Sequence, residues 1–196
     1  MNIKHYLMAA LLLPVFASCS EEDGSDQEYA NWQQKNEAFF EQQYQAHSVA
    51  TENSYILPSW TQPSSKSLSD IAHTQCVLVD VLVRGEGTTC PYFTDSVKVD
   101  WAGRLMPSPS YPNGYEFGRS YLDKFDPDLD EPSTFGVQGL VVGFSTVLQH
   151  MHKGDVWRVY IPYQLGYGAS AKTGIPAYST LIYDIRLVDF WTKREK

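Results

Sequence analysis

Cysteine and histidine are scarce in this 196-residue chain, with three of the first and five of the second. They are too scattered for a metal framework, whose ligands come in close pairs. No metal site is expected, and nothing calls for a cofactor. Positive charge is also in short supply. Fifteen Lys and Arg face 23 Asp and Glu, giving a net charge of −8. No basic stripe of the kind that neutralises phosphates is visible, which argues against a nucleic-acid partner. The apolar run from Tyr6 to Phe16 is too short to stay in a bilayer as a spanning helix. What the chain has in quantity is aromatic surface: 13 Tyr, 9 Phe and 5 Trp. That is enough to pack one domain of ordinary size, with extensions.

Residues 1–18 read as a signal peptide, with Lys4 and His5 ahead of the apolar run and small residues before Cys19. Phe16-Ala17-Ser18-Cys19 resembles a bacterial lipobox, with Phe16 looser than the usual Leu. Two readings stand. Either Cys19 becomes the acylated terminus of an outer-membrane lipoprotein, or ordinary cleavage leaves it a plain thiol. Acyl chains insert at roughly 0.8 kcal/mol per buried methylene, so a multiply acylated Cys19 would hold the protein on a membrane. Residues 19–26 then form an acidic tether. Ser20-Glu21-Glu22-Asp23 is a solvated spacer or, by resemblance to some Gram-negative lipoproteins, a surface-export signal.

Residues 27–54 are expected to form an N-terminal amphipathic helix. Gln27 to Ala50 has no Pro or Gly, and Tyr29, Trp32, Asn36, Phe39, Phe40 and Tyr44 gather on one face. Such a face should be buried. It could pack on the rest of the chain or on a second copy, making a homodimer. Residues 55–70 carry Ser and Pro without periodicity and read as a linker. Residues 71–196 form the main domain. Cys76 to Val83 is a β run closed by Gly85-Glu86-Gly87, and a Cys76–Cys90 disulfide stays open. The acidic loop from Leu122 to Pro132 lacks the glycine turn of a calcium loop, and His150 and His152 read as a solvated pair.

The domain is organised around Phe135 to Phe144. A strand ends there, the backbone turns at glycines, and a short helix starts with Phe144 on its first turn. Gly143 is expected to ease the chain into that turn. Val147, Leu148 and Met151 continue at helical spacing, and Lys153-Gly154-Asp155 reads as the stop. Val156 to Pro162 alternates as a strand, Gly166-Tyr167-Gly168 is a loop, and Leu181 to Val188 is the last strand. Phe135, Val137, Val156, Val159, Ile185 and Leu187 are expected in the core.

On these residues the chain resembles the FKBP-type peptidyl-prolyl cis-trans isomerases. Matching pieces include Val97-x-Val99-x-Trp101-x-Gly103-x-Leu105, Asn113-Gly114-x-x-Phe117, Pro132-x-x-Phe135 and Leu140-Val141-x-Gly143-Phe144. Met151-x-x-Gly154, Ile161-Pro162, Leu165-Gly166-Tyr167-Gly168, Ile175-Pro176 and Thr180-Leu181-Ile182-Tyr183 follow in the family's order. The resemblance covers roughly half the chain. It implies an α+β fold, in which a curved antiparallel sheet wraps one short helix and the N-terminal helix lies outside. It implies proline-containing polypeptide clients and, with the signal, a role in folding envelope or surface proteins.

The resemblance also implies site residues. Phe144 is the floor beneath the proline ring, where the family usually has Trp. Phe117, Leu140, Ile175 and Tyr183 are walls, with Tyr183 in place of the usual Phe. Val141 is a wall too, and its N–H and the Tyr167 hydroxyl are donors to substrate carbonyls. Trp101 stands where a Tyr is usual, and Gly118 where an Asp is usual, so both halves of a polar pair at the pocket edge are absent together. Ser133 stands where other members carry an aromatic wall. A live isomerase and a catalytically weak peptide-binding or chaperone module, or a subunit of an outer-membrane complex, are therefore the competing readings.

Overall fold

The computed structural model of the chain describes residues 28–122, 125 and 131–192. The expected signal peptide, Cys19, the expected acidic tether and most of the acidic loop lie outside the described residues.

One antiparallel sheet organises the molecule. It comprises β1 (Ser54–Pro58), β2 (Cys76–Val83), β3 (Asp95–Leu105), β4 (Glu116–Arg119), β5 (Ser133–Gly136), β6 (Val156–Ile161) and β7 (Leu181–Thr192). The spatial order is β1-β2-β6-β7-β3-β4, with β5 paired to β3 as well. β4 meets β3 at Ala102–Arg104 and β5 meets it at Ser96–Val99, so the two lie end to end along one edge. The long β3–β7 ladder runs from Leu105↔Leu181 to Asp95↔Thr192, with a bulge after Lys98. Bulges bend a strand and raise its twist, which suits a sheet that must curve around a helix.

That helix is α2, Val142–Leu148, with Gly143 to Leu148 all buried. (The N-terminal helix, Trp32–His47, is α1.) Val77, Val79, Val97, Val99, Val147, Leu148, Met151, Val159, Ile161, Leu181, Ile185 and Leu187 close the core around it. Gly143 serves another purpose than the one expected. It sits inside α2, and a Cβ there would lie 2.3 Å from Ile161 Cγ2. The missing side chain lets helix and sheet approach; it does not ease a turn. Two of the expected core residues sit otherwise. Val156 and Phe135 are only half-buried, and Phe135 lines the cavity described below.

α1 is shorter than expected at both ends. Asn31 sits before it in a left-handed conformation (φ 55°), and Ser48 N–H turns back to the Gln45 carbonyl after it. Trp32, Asn36, Phe40, Tyr44 and His47 form its buried stripe. Phe40 and Tyr44 pack with Ile71, Cys76 and Leu78 in a second apolar cluster. The aromatic face is thus covered by the chain's own domain. β2 is consequently sandwiched, Val77 and Val79 turned to the α2 side, Cys76 and Leu78 to the α1 side. Cys76 and Cys90 are both free, and burial pushes the Cys76 thiol up to about 11.

The expected linker holds a strand. Ser54–Pro58 pairs with β2 from Ser54↔Asp80 to Pro58↔Cys76. As an edge strand it tolerates Pro58, whose missing N–H costs no ladder bond on the open side.

Candidate active site

A cavity of about 270 Å³ opens between α2 and the concave face of the sheet. Trp101, Phe135, Gly139, Leu140, Val141, Phe144, Tyr167 and Tyr183 line it. Six of the residues expected from sequence are therefore brought together. Phe135 and Gly139 were not anticipated. The alternation along β5, which turns Ser133 and Phe135 the same way, was the available signal for Phe135.

Tyr183 on β7 holds the rings in place. It is 5% exposed and meets Phe144 at 5.0 Å, Phe117 at 5.6 Å and Trp101 at 6.0 Å, each edge to face. Each such contact adds about 0.5–1.5 kcal/mol beyond area burial. Burial pushes the Tyr183 phenol far above its ordinary range, and the neighbouring Tyr167 phenol adds to the shift, through charge and then through a hydrogen bond.

Phe144 forms the floor and is itself 5% exposed. Leu140 and Val141 precede α2 at the rim, after a 3-10 turn at Val137–Gly139. Val141 is the N-cap residue, so its N–H has no acceptor inside the helix. Tyr167 belongs to the loop between β6 and β7, with Lys172 Nζ 5.7 Å from its ring centroid.

Three expected residues do not line the cavity. Phe117 stands behind Tyr183 as a supporting ring. Ile175 is buried in the main core and exchanges backbone hydrogen bonds with Lys172. Gly118 lies against Trp101. An ideal Cβ at position 118 would sit 3.0 Å from Trp101 Cη2 and 3.3 Å from Cζ3. The indole fills the space that an Asp side chain would need, so Trp101 and Gly118 are sterically one replacement. Trp101 Nε1 donates to Ser133 Oγ at 3.2 Å, a partner the sequence reading did not supply. The serine that removes an aromatic wall thus accepts the indole N–H.

A larger cavity of about 520 Å³ lies elsewhere, lined by Phe39, Arg104, Arg158 and Tyr160 among others. Arg158 grips Asp184 through Nε and Nη2 at 2.7 and 2.9 Å, and Arg104 adds a third bond at 3.1 Å. Its charged groups are thus committed to one another, in contrast to the ring-lined cavity.

A family model described as FKBP-type peptidyl-prolyl cis-trans isomerase matches residues 87–188. Among curated proteins, the macrophage infectivity potentiator of Trypanosoma cruzi is 33% identical over 108 residues, 55% of this chain and 49% of that protein. The FKBP-type peptidyl-prolyl cis-trans isomerase FkpA of Escherichia coli (strain K12) is 30% identical over 113 residues, 58% of this chain and 37% of that one. The chain thus aligns with less than half the length of either relative. The crystal structure of FkpA from Escherichia coli superposes with a TM-score of 0.58 at 26% identity, covering 82% of this chain and 61% of that one. A peptidyl-prolyl cis-trans isomerase from Pseudomonas syringae pv. tomato, at 22% identity and a TM-score of 0.55, covers 80% of this chain and 94% of that one and shares the fold.

Proposed function

This chain belongs to the FKBP-type peptidyl-prolyl cis-trans isomerase family, and from that premise we propose that it catalyses rotation about X–Pro bonds in the ring-lined cavity. Amide resonance sets a barrier of about 18–20 kcal/mol to that rotation. The twisted amide has a less polar carbonyl than either planar form, so a dry pocket favours it over both. In this mechanism Phe144 supports the proline ring while Tyr183, Leu140 and Val141 exclude water. The Tyr167 O–H and the Val141 N–H donate to carbonyls of the flanking peptide and fix its direction. No nucleophile is required.

The observation that carries this reading is the cavity itself, with Tyr167 and Tyr183 together on its wall. The test is isomerisation of a short X–Pro peptide by the purified soluble chain. Phe144→Ala and Tyr167→Phe are each expected to lower kcat/KM by about tenfold, the effect of roughly 1.4 kcal/mol lost from the transition state. A wild-type rate equal to the spontaneous one at high protein concentration rules the enzyme out.

A second reading has its own support. Among the described residues lining the cavity there is no carboxylate, which suits a module that grips proline-containing clients and turns them over slowly. Saturable peptide binding without acceleration would decide for it. By the sequence alone, the place of action is the cell envelope, with the outer membrane reached through acylated Cys19. A lipid-modified Cys19 detected by mass spectrometry supports that anchor, and an unmodified thiol removes it.

A further inference from the structure

We infer that α1 braces the loop carrying Tyr167, with Trp32 and Asn36 as positioning residues for the cavity; the catalytic half of this inference rests on the isomerase reading above. The loop between β6 and β7 has little regular structure, and glycines flank Tyr167 on both sides. Something must keep that phenol aimed. Inside the loop, Gly168 N–H donates to the Tyr163 carbonyl, and Tyr178 N–H donates to the Gly168 carbonyl, both at 2.8 Å. The second bond ties the residue after Tyr167 to Tyr178.

Tyr178 is the strained point. Its φ is +62°, a conformation that a bulky L residue holds only when its surroundings impose it. The residues that follow it are fastened to α1. Trp32 Nε1 donates to Ser179 Oγ at 2.8 Å, and Ser179 Oγ donates onward to the Pro176 carbonyl at 2.7 Å. Thr180 N–H donates to Asn36 Oδ1 at 2.7 Å, while Asn36 Nδ2 donates to the Trp32 carbonyl at 2.8 Å. Farther up the loop, Tyr163 O–H donates to Glu37 Oε1 at 2.9 Å, and its ring meets Tyr178 edge to face at 5.3 Å.

Asn36 is fully buried at 0% exposure, with Ser179 at 3% and Thr180 at 1%. A buried amide in an otherwise aromatic stripe is costly unless its polar atoms are matched. Here they are matched by the loop and the helix backbone. The path from α1 therefore runs through Thr180 and Ser179 to Tyr178, then to Gly168 and Tyr167. Three residues beyond Thr180 stands Tyr183, which lines the cavity together with Tyr167.

The experiment compares the whole chain with Trp32→Phe, Asn36→Leu and a control, Tyr44→Leu, which loosens α1 against β2 one turn farther along the helix. Amide hydrogen exchange, melting temperature, and kcat and KM on an X–Pro peptide are measured for each. Trp32→Phe and Asn36→Leu are expected to speed exchange at Gly168 and Tyr178 by about tenfold, as loss of one buried hydrogen bond would. The β3 and β7 amides stay protected, and kcat/KM falls about three- to tenfold. Tyr44→Leu lowers the melting temperature but leaves the loop amides and kcat/KM unchanged. Loop protection unaltered in Trp32→Phe, or altered equally in Tyr44→Leu, overturns the brace. A released loop with unchanged kcat/KM overturns the positioning role. An inactive wild type refutes the isomerase reading instead, and the exchange data still decide whether α1 holds the loop.

Discussion

Placing an aspartate at Gly118 tests whether the Trp101 pair is a single steric unit. The new Cβ would lie 3.0 Å from Trp101 Cη2, closer than ordinary van der Waals contact, so the indole must give way. It is not free to do so. Its N–H is committed to Ser133 and its ring meets Tyr183. Overpacking of this kind costs about 1–3 kcal/mol, and a net hydrogen bond about 1 kcal/mol more. The carboxylate itself arrives without the tyrosine hydroxyl that the family resemblance would pair with it. Gly118→Asp is therefore expected to destabilise by about 2–4 kcal/mol, a fall in Tm of roughly 5–15 °C for a chain of this size. It should not raise the isomerase rate.

Two companions separate the contributions. Gly118→Ala adds the Cβ alone, and its relief of unfolded-chain entropy, about 0.4–1 kcal/mol, offsets much of the strain, so Tm should move little. Trp101→Tyr combined with Gly118→Asp clears the space and supplies a hydroxyl, so stability should return toward wild type and kcat/KM should rise. Thermal unfolding by circular dichroism and the peptide assay measure both. A Gly118→Asp protein as stable as wild type and faster would refute the steric reasoning outright.

Two further outcomes follow from titrating groups. For Asp184, burial alone would raise the carboxyl, but the hydrogen bonds and charges of Arg158 and Arg104 outweigh it and hold the carboxyl below its usual range. Its contribution is then complete above the unfolded value of about 3.9 and vanishes as pH falls through the folded value. Asp184→Asn should cost about 1–3 kcal/mol at neutral pH and flatten the stability profile below about pH 4 in urea unfolding; a profile parallel to wild type refutes this. For Tyr183 the sign is opposite in pH. Its raised phenol stays protonated in the fold while the unfolded chain ionises near pH 10, so stability falls as pH climbs past about 10. Tyr183→Phe should make that alkaline slope shallower, and an unchanged slope between about pH 10 and 12 overturns the assignment.

Much of the site could be read from residue order because each part depends on local pattern. Short strands, the glycine before Phe144 and the aromatic loop carry their own spacing signals, so Leu140, Val141, Phe144, Tyr167 and Tyr183 were legible, as was Trp101. What was not legible depends on pairing across the sheet. β1 was hidden because Pro58 and the serines after it look like linker, and only its partner β2 makes Tyr55 to Leu57 a strand. Ser133 looked like a deletion, since nothing in sequence says that an indole N–H lies within 3.2 Å. Phe135 looked like core because it is a large apolar side chain where a strand ends; that it faces the cavity follows from the β5–β3 pairing, which residue order does not show. The direction of α1 was open for the same reason. A buried aromatic stripe is required by composition, but what buries it is set by the far end of the chain, at Ser179 and Thr180.

Immediately after Ser179 and Thr180 begins β7, which serves both faces of the sheet. Tyr183 faces the cavity and its rings, while the next residue, Asp184, carries the arginine pair on the opposite face. Alternation makes one strand serve both faces, so a displacement of the outer layer reaches the cavity with no intervening element to absorb it. The aspartate that the family resemblance leads one to expect at position 118 is not needed for the ring-lined cavity to form. Amide rotation gains from a surrounding less polar than water, and a charged group at the edge draws water with it. The indole that displaces the aspartate brings apolar surface instead, and its one polar atom is bonded to Ser133 rather than left facing the cavity. On the isomerase reading, the Trp101–Gly118 pair gives up a polar group at the edge and gains exclusion of water. Orientation of a peptide would then fall to Tyr167, so on that reading the geometry of its loop, and of the helix proposed to brace it, matters more in this chain than it would beside an intact carboxylate.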